Sequence, residues 1–567
     1  MTVSPQMVTP LFIKENPALG WWWQNSSVAP SRESTALKEA LLSLCRPVYL
    51  IDIGNELAVS HEGSMTWGKD APPDRYALPL LGFAPALLPE NLGDPKFRTF
   101  YGLRYAYVIG AMANGISSVS LVETAGRAGL LAFFGAGGLT LSKVDTAIQQ
   151  LQNSQKRHHF PFGVNLIHSP TDSTLEMETV RLYLQRQVRL VSASAFMEVT
   201  LPVTYYRVKG IRQNADGKTV CPNRVIAKVS REEVARQFLN PPPQKHIEEL
   251  LNSRLITAGE AELAQQVPMA DDLTAEADSG GHTDNRPALA LLPTMMALRD
   301  KVAKYYNYQR TPCVGLGGGI ATPASTAAAF AMGAAFVLTG SVNQGCIEAD
   351  TSATTRHMLA ATRQADVIMA PSADMFELGV KVQVVKRGTL FPLRARKLYD
   401  LYTRYDCYED IPCDDRKQIE RDLFKKSFEE EWEATQLFFT ERDPRQIERA
   451  RHSPKHRMAL VFRSYLGQSS TWANNGEPNR QLDYQIWCGP AMGAFNEWTQ
   501  GSFLEDVGNR SITTVAYNFL FGAAVINRFQ HLRNQRVPLP AELGTFHPLR
   551  VAQIQKRLKE KNYDMAQ

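Results

Sequence analysis

The stretch GLGGGIATPASTAAAFAMGAAFVLTGSVNQ, residues 315–344, decides how this chain is read. An apolar run ends in Gly315, Gly317, Gly318 and Gly319. Thr322-Pro323 then opens a helix of small residues, and a second apolar run ends in Thr339-Gly340-Ser341. Strand, glycine loop, helix and strand in that order make one unit of a parallel sheet covered by helices. Backbone N–H groups bared by glycine, beside the partial positive charge of a helix N-terminus, form a cradle for phosphate. The spacing is not G-x-G-x-x-G followed by an acid, so a dinucleotide fingerprint is disfavoured.

The same texture extends outward from about residue 101. The runs 105–112, 130–138, 162–167, 188–196, 224–230, 273–281, 311–320 and 334–342 read as strands, most of them separated by helical segments such as 142–155 and 323–333. Near-continuous apolar runs suit parallel strands buried on both faces. This is an α/β pattern, and it predicts a (β/α)8 TIM barrel over an open doubly wound sheet. Polar and glycine residues collect at the C-terminal ends of the strands, which is where barrels build their sites. The loops after strands seven and eight are then the two glycine stretches of the opening motif, the usual place for a phosphate. Residues 201–223 show no helical period. A helical insertion, 231–271, reads as two helices around a proline turn and is expected to cap the barrel mouth. The domains expected are an N-terminal subdomain (1–100), the barrel with its insertion (101–380) and a mostly helical C-terminal region (381–567).

Composition sets the outer bounds. A chain of 567 residues exceeds what one core supports, so two or three domains are expected. A net charge of +5 is too small for bulk nucleic-acid binding and suits an acidic partner or a phosphate-bearing ligand. The 7 cysteines form no C-x-x-C pair, which is the pattern of a reducing compartment. Neither a signal peptide nor a membrane span is evident in the sequence, and the expectation is a cytoplasmic protein.

The chemistry concentrates on a second stretch, EADSGGHTD (276–284). Gly280 and Gly281 would let a ligand approach the backbone closely, with His282 beside it as a proton donor. Gly110, Ala111 and Met112 end the first strand as a surface for a planar ring. Asn165 in the third strand is either a ligand contact or the cap of a nearby loop. Lys228 in the fifth strand either snorkels at the barrel edge or faces an electron-rich ring atom. Asp278, His282 and Asp284 lack convincing metal-ligand spacing, and no metal is expected.

The order GAM, PFGVNL, GGH, GGGI, TGS resembles the FMN-dependent barrels of nitronate monooxygenase and the flavin-type enoyl reductases. The stretches PFGVNLIHSP, VPMADDLTAEADSGGHTDNRP, GTLFPLRARKLYDLY and LDYQIWCGPAMGAFNEW resemble more narrowly the PfaD-type enoyl reductases, which act in trans on polyketide and polyunsaturated fatty acid synthases. In the simpler reductases a glycine-rich segment follows the histidine motif, where this chain has TDNRP. The resemblance implies FMN as cofactor, NADPH as reductant and a 2-enoyl thioester on an acyl carrier protein as substrate. It implies His282 as the catalytic residue. It implies Gly110, Ala111, Met112 and Asn165 at the isoalloxazine and ribityl. Gly280, Gly281, Gly317, Gly318, Gly319, Thr339 and Gly340 fall at the ribityl and phosphate end, with Lys228 nearby. The oligomeric state stays open, a homodimer included. Two competing readings are a nitronate monooxygenase-like oxidase and a flavin-bearing scaffold that docks on a synthase without catalysing reduction.

Overall fold

Eight parallel strands close on themselves in the computed structural model, which describes residues 18–68, 72, 74–168 and 173–559. They are Tyr107–Ile109, Leu131–Phe134, Gly163–Ile167, Leu190–Ser194, Arg224–Val229, Asp272–Glu276, Cys313–Gly317 and Val337–Thr339. The eighth returns to the first through Val337↔Tyr107 and Thr339↔Ile109, completing the (β/α)8 barrel. Each run expected from the sequence overlaps one of these strands, and only the sixth strand starts outside its run, one residue earlier at Asp272. The strands are shorter than the runs because the glycine tails leave the sheet and become rim loops. In the run 311–320, for example, pairing stops at Gly317, and Gly318 and Gly319 turn away with φ of 83° and 76°.

The N-terminal end of the barrel is closed by stacking and buried charge. Phe97 stacks on Phe336 with ring centroids 4.1 Å apart. The guanidinium groups of Arg224 and Arg310 each sit 4.0 Å from the ring of Phe100. Arg207 is wholly buried and donates to Asp271 at 2.6 and 3.2 Å, to the Pro268 carbonyl at 3.0 Å and to the Asn223 carbonyl at 2.9 Å. It thereby ties together the segments that lead into strands five and six.

The insertion departs from expectation in content and in place. It holds three helices, Glu232–Leu239, Gln244–Asn252 and Ala258–Ala264. The first packs on strand five as an ordinary barrel helix. The other two lie at the opposite end from the mouth. His246 meets Thr204 at 3.1 Å, and Glu260 accepts from the Gly210 N–H at 2.6 Å, in the segment that enters strand five. The prolines do separate two helices, but nothing in a helical period says which end of a barrel a helix will reach. Residues 201–223 contain a helix, Leu201–Val208, and a two-residue ladder, Arg212–Gln213 with Thr219–Val220. That helix is buried at most of its positions, so it has no polar face and shows no period.

The chain beyond the barrel begins with an antiparallel pair, Val367–Pro371 and Lys381–Val385, and continues in helices including Phe391–Arg404, Phe428–Arg442 and Pro454–Asn475. No described helix is long and apolar enough to cross a membrane. Residues 1–95, 322–333 and 513–567 group as a separate compact unit. Its described part holds a five-stranded antiparallel sheet with the helix Ser34–Leu42. Arg528 is buried in that unit and donates to the carbonyls of Ala40, Ser43, Leu44, Arg46 and Pro85, satisfying a chain turn that would otherwise bury bare acceptors.

Replacing Arg207 with Met keeps the volume but strands the Asp271 carboxylate and two carbonyls. The expected cost is about 3–5 kcal/mol, the range for breaking a buried pair from one side. A thermal midpoint equal to that of the parent would show that the brace contributes nothing.

Candidate active site

At the C-terminal ends of the strands opens a cavity of about 910 Å³, at the upper end of the range for small-molecule sites. Gly110, Ala111, Met112, Asn165, Lys228, Gly280, Gly281, His282, Gly317, Gly318, Gly319 and Gly340 all line it. Thr339, also expected there, is turned into the barrel wall. It is 1% exposed, and its hydroxyl bonds Tyr107 at 3.0 Å and Asn343 at 3.0 Å.

The glycines serve different purposes. A methyl group added at Gly319 or Gly340 would meet no protein atom within 4 Å, so bare backbone faces open volume at both. Gly318 is glycine for its own reason, since a Cβ there would lie 2.6 Å from the Ala277 carbonyl. Gly280 corrects the sequence reading. Its added Cβ would sit 2.9 Å from the backbone of Cys488, so this glycine admits a neighbouring segment of the chain as well as lining the cavity. The Gly110–Ser117 turn is braced by Ser117, whose hydroxyl accepts from the Met112 N–H at 2.9 Å and donates to the Gly110 carbonyl at 3.1 Å.

Asn165 is the loop cap that one of its two readings predicted: its Oδ1 accepts from the Ala136 N–H at 2.6 Å. Its Nδ2 has no partner among the described residues and remains as a donor on the cavity wall. Lys228 pairs with Glu276 at 2.7 Å across strands five and six. Glu276 stands in the quoted EADSGGH stretch, and its alternation with Thr274 and Asp272 along a strand was the available signal.

Beyond strand six the chain forms a second, shorter pairing. Gly281 and His282 run antiparallel to Gln383 and Val382 of the strand that follows the barrel. Gln383 also donates through its side chain to Asp278 at 2.8 Å and to the Ser279 carbonyl at 2.7 Å. His282 Nε2 lies 2.9 Å from Asp374 Oδ2, on the loop between the two strands of that pair. Burial disfavours the charged ring, but the hydrogen bond and charge of Asp374 outweigh it and raise the His282 pKa above 6.5. For Asp374, burial pushes upward, while His282 and the Ser372 hydroxyl hold the carboxyl down to about 2. Nothing in the sequence around 371–374 marked Asp374, because no motif or period surrounds it.

Segments after the barrel complete the walls. Phe438 and Phe439 of the helix Phe428–Arg442, Arg463 and Ser470 of Pro454–Asn475, and Trp487 and Gly489 all face the cavity. The Gly489 N–H donates to Ser341 Oγ at 3.0 Å, beside the glycine loop of strand eight. Burial pushes the neighbouring Cys488 thiol up to about 12, which leaves it inert near neutral pH.

A barrel with a bare glycine cradle at strands seven and eight, and a histidine held by a carboxylate at strand six, is the framework of a flavin-type oxidoreductase. The chain belongs to the nitronate monooxygenase family, whose pattern matches residues 100–389. Residues 405–484 match the inserted helical domain of [acyl-carrier-protein] S-malonyltransferase. A polyunsaturated fatty acid synthase polypeptide of Thraustochytrium sp. is 45% identical over 464 residues, 80% of this chain and 31% of that protein. Polyketide biosynthesis protein PksE of Bacillus subtilis is 44% identical over 437 residues, 77% of this chain and 56% of that protein. The chain therefore spans less than two thirds of either relative. The crystal structure of the enoyl reductase domain of MlnA, from the macrolactin cluster of Bacillus amyloliquefaciens, is 37% identical with a TM-score of 0.73. The match covers 79% of this chain and all of that one.

Gly280→Ala tests how tightly the Cys488 segment is pressed on the histidine loop. Overpacking of this kind costs roughly 1–3 kcal/mol. The variant should melt lower than the parent and bind cavity ligands more weakly, and unchanged values of both would show that the two segments move apart freely.

Proposed function

We propose that the protein is a trans-acting enoyl reductase that reduces 2-enoyl thioesters on an acyl carrier protein, with FMN as cofactor and NADPH as reductant. It would serve a polyketide or polyunsaturated fatty acid synthase in the cytoplasm. The observation that carries the reading is His282, held 2.9 Å from the Asp374 carboxylate on the rim of a glycine-cradled barrel cavity. The 37% identity to an enoyl reductase domain, along that domain's whole length, supports it.

The residues present suit FMN. Gly319 and Gly340 offer open backbone for one phosphate, next to Gly317 and Gly318 on the same wall, and there is no fingerprint for a second nucleotide. Gly110, Ala111 and Met112 give a surface without bulky branches for the ring system, and Asn165 Nδ2 supplies a donor beside it. The chemistry the flavin supplies when bound is relay of a hydride from NADPH to the β-carbon of the enoyl thioester. His282 holds the proton that the α-carbon then needs, so hydride and proton together saturate the double bond. The Lys228–Glu276 pair keeps the wall next to His282 close to neutral, so neither charge dominates the histidine. The helices Phe428–Arg442 and Pro454–Asn475 narrow the cavity to one side and limit water there.

The purified protein should be yellow and release FMN on denaturation. A colourless protein that no flavin stabilises, or release of FAD, would overturn the cofactor. His282→Ala should retain FMN and still accept electrons from NADPH, while reduction of carrier-bound enoyl thioester slows by about 10²–10⁴-fold. Undiminished turnover in that variant would place the proton donor elsewhere, and NADPH oxidation coupled only to oxygen would favour an oxidase.

A further inference from the structure

We propose that Asp374, supplied by the chain after the barrel, is the positioning residue of His282: it holds the imidazole through Nε2 and leaves Nδ1 to deliver the proton. The inference rests on the enoyl reductase reading of the same cavity.

The geometry fixes the histidine three times over. Its backbone is paired to Val382, its neighbour Gly281 to Gln383, and its Nε2 lies 2.9 Å from Asp374 Oδ2. Asp374 is itself anchored. Its other oxygen, Oδ1, accepts from the Ser372 hydroxyl and from the Met375 N–H at 3.1 Å. One carboxylate oxygen therefore holds its own loop, and the other meets the ring. His282 Nδ1 has no partner among the described residues, and His282 lines the cavity. A carboxylate bound to one ring nitrogen sets both the tautomer and the ring orientation. After Nδ1 gives up its proton to the α-carbon, the neutral ring keeps its hydrogen on Nε2, where Asp374 accepts it. Solvent then returns a proton to Nδ1.

The other charges near the ring do not replace Asp374. Lys228 and Glu276 oppose each other at 2.7 Å and act on the ring in opposite directions, Asp284 is taken by Arg231 at 2.9 Å, and Lys381 on the paired strand, which lines the same cavity, is a cation and no substitute for a carboxylate. Without the Asp374 charge, burial prevails. The charged ring, which now persists above pH 6.5 and is lost as pH rises through its raised pKa, would be lost at lower pH instead.

The test is Asp374→Asn, with Asp374→Glu as the conservative variant. Two readouts are followed against pH: kcat on a carrier-bound enoyl thioester, and carbethoxylation of His282 by diethyl pyrocarbonate, read by mass spectrometry. The reagent attacks the neutral ring, so the second readout needs no turnover. Asp374→Asn should keep its FMN content, lose about tenfold or more in kcat near neutral pH, and become modifiable at lower pH than the parent. Asp374→Glu should recover part of both. Identical modification profiles and alkaline limbs in parent and Asp374→Asn would overturn the proposal, as would a failure of Asp374→Glu to restore either. A parent that reduces no enoyl thioester would defeat the enoyl reductase reading, while the modification profile would still decide the role of Asp374.

Discussion

Two residues of backbone, Gly281 and His282, leave the sixth loop of the barrel and pair antiparallel with Gln383 and Val382. An isolated pairing this short is not stable in water. It is held because its surroundings leave it little freedom. The Gln383 amide bonds both Asp278 and the Ser279 carbonyl, Asn285 bonds Asp278 at 2.8 Å, and the Cys488 backbone presses against Gly280. A rim loop that would otherwise fluctuate thus behaves as the edge of a small three-stranded sheet. The position of the imidazole, and with it any proton transfer in the cavity, depends on that sheet.

The cavity is divided by chemistry. At strands seven, eight and one it is bare backbone, with glycines and the small Ala111. At strands five and six it is charged, with Lys228, Glu276 and His282 close together. Toward the later helices Phe438 and Phe439 stand among polar residues such as Gln446, Arg463 and Gln468, and Phe438 and Met197, the latter just after strand four, are exposed large apolar side chains. Exposed apolar side chains at the mouth of a pocket mark surface that gains by being covered.

The barrel was legible in the sequence because parallel strands buried on both faces leave continuous apolar runs, and glycine marks where many of them end. The ambiguity at 201–223 came from a helix too buried to show a polar face. The residues that line the cavity from strand ends were legible for the same reason as the strands. Thr339 was not distinguishable from them, because position in a strand end does not say which way a β-branched side chain turns. Asp374, Gln383 and Trp487 were invisible to motif reasoning. They reach the site through a strand pairing between segments far apart in sequence, and no local pattern encodes such a contact.

The same separation explains why the chain after the barrel cannot be regarded as an appendage. A barrel ending near residue 360 would carry the glycine cradle, Asn165, Lys228 and the histidine loop. It would lack the strand that holds that loop, the carboxylate facing the imidazole and the Cys488–Gly489 segment against Gly280 and Ser341. That one segment touches both the histidine loop and the loop of strand eight, so the two loops share one packed backbone neighbour. A long insertion could have been expected to perform this task. Instead, the last two helices of the insertion lie at the far end, its first serves as a barrel helix, and the covering elements come from later in sequence. The cavity is therefore the joint product of the barrel and its successor strands and helices, and neither set of residues forms its walls alone.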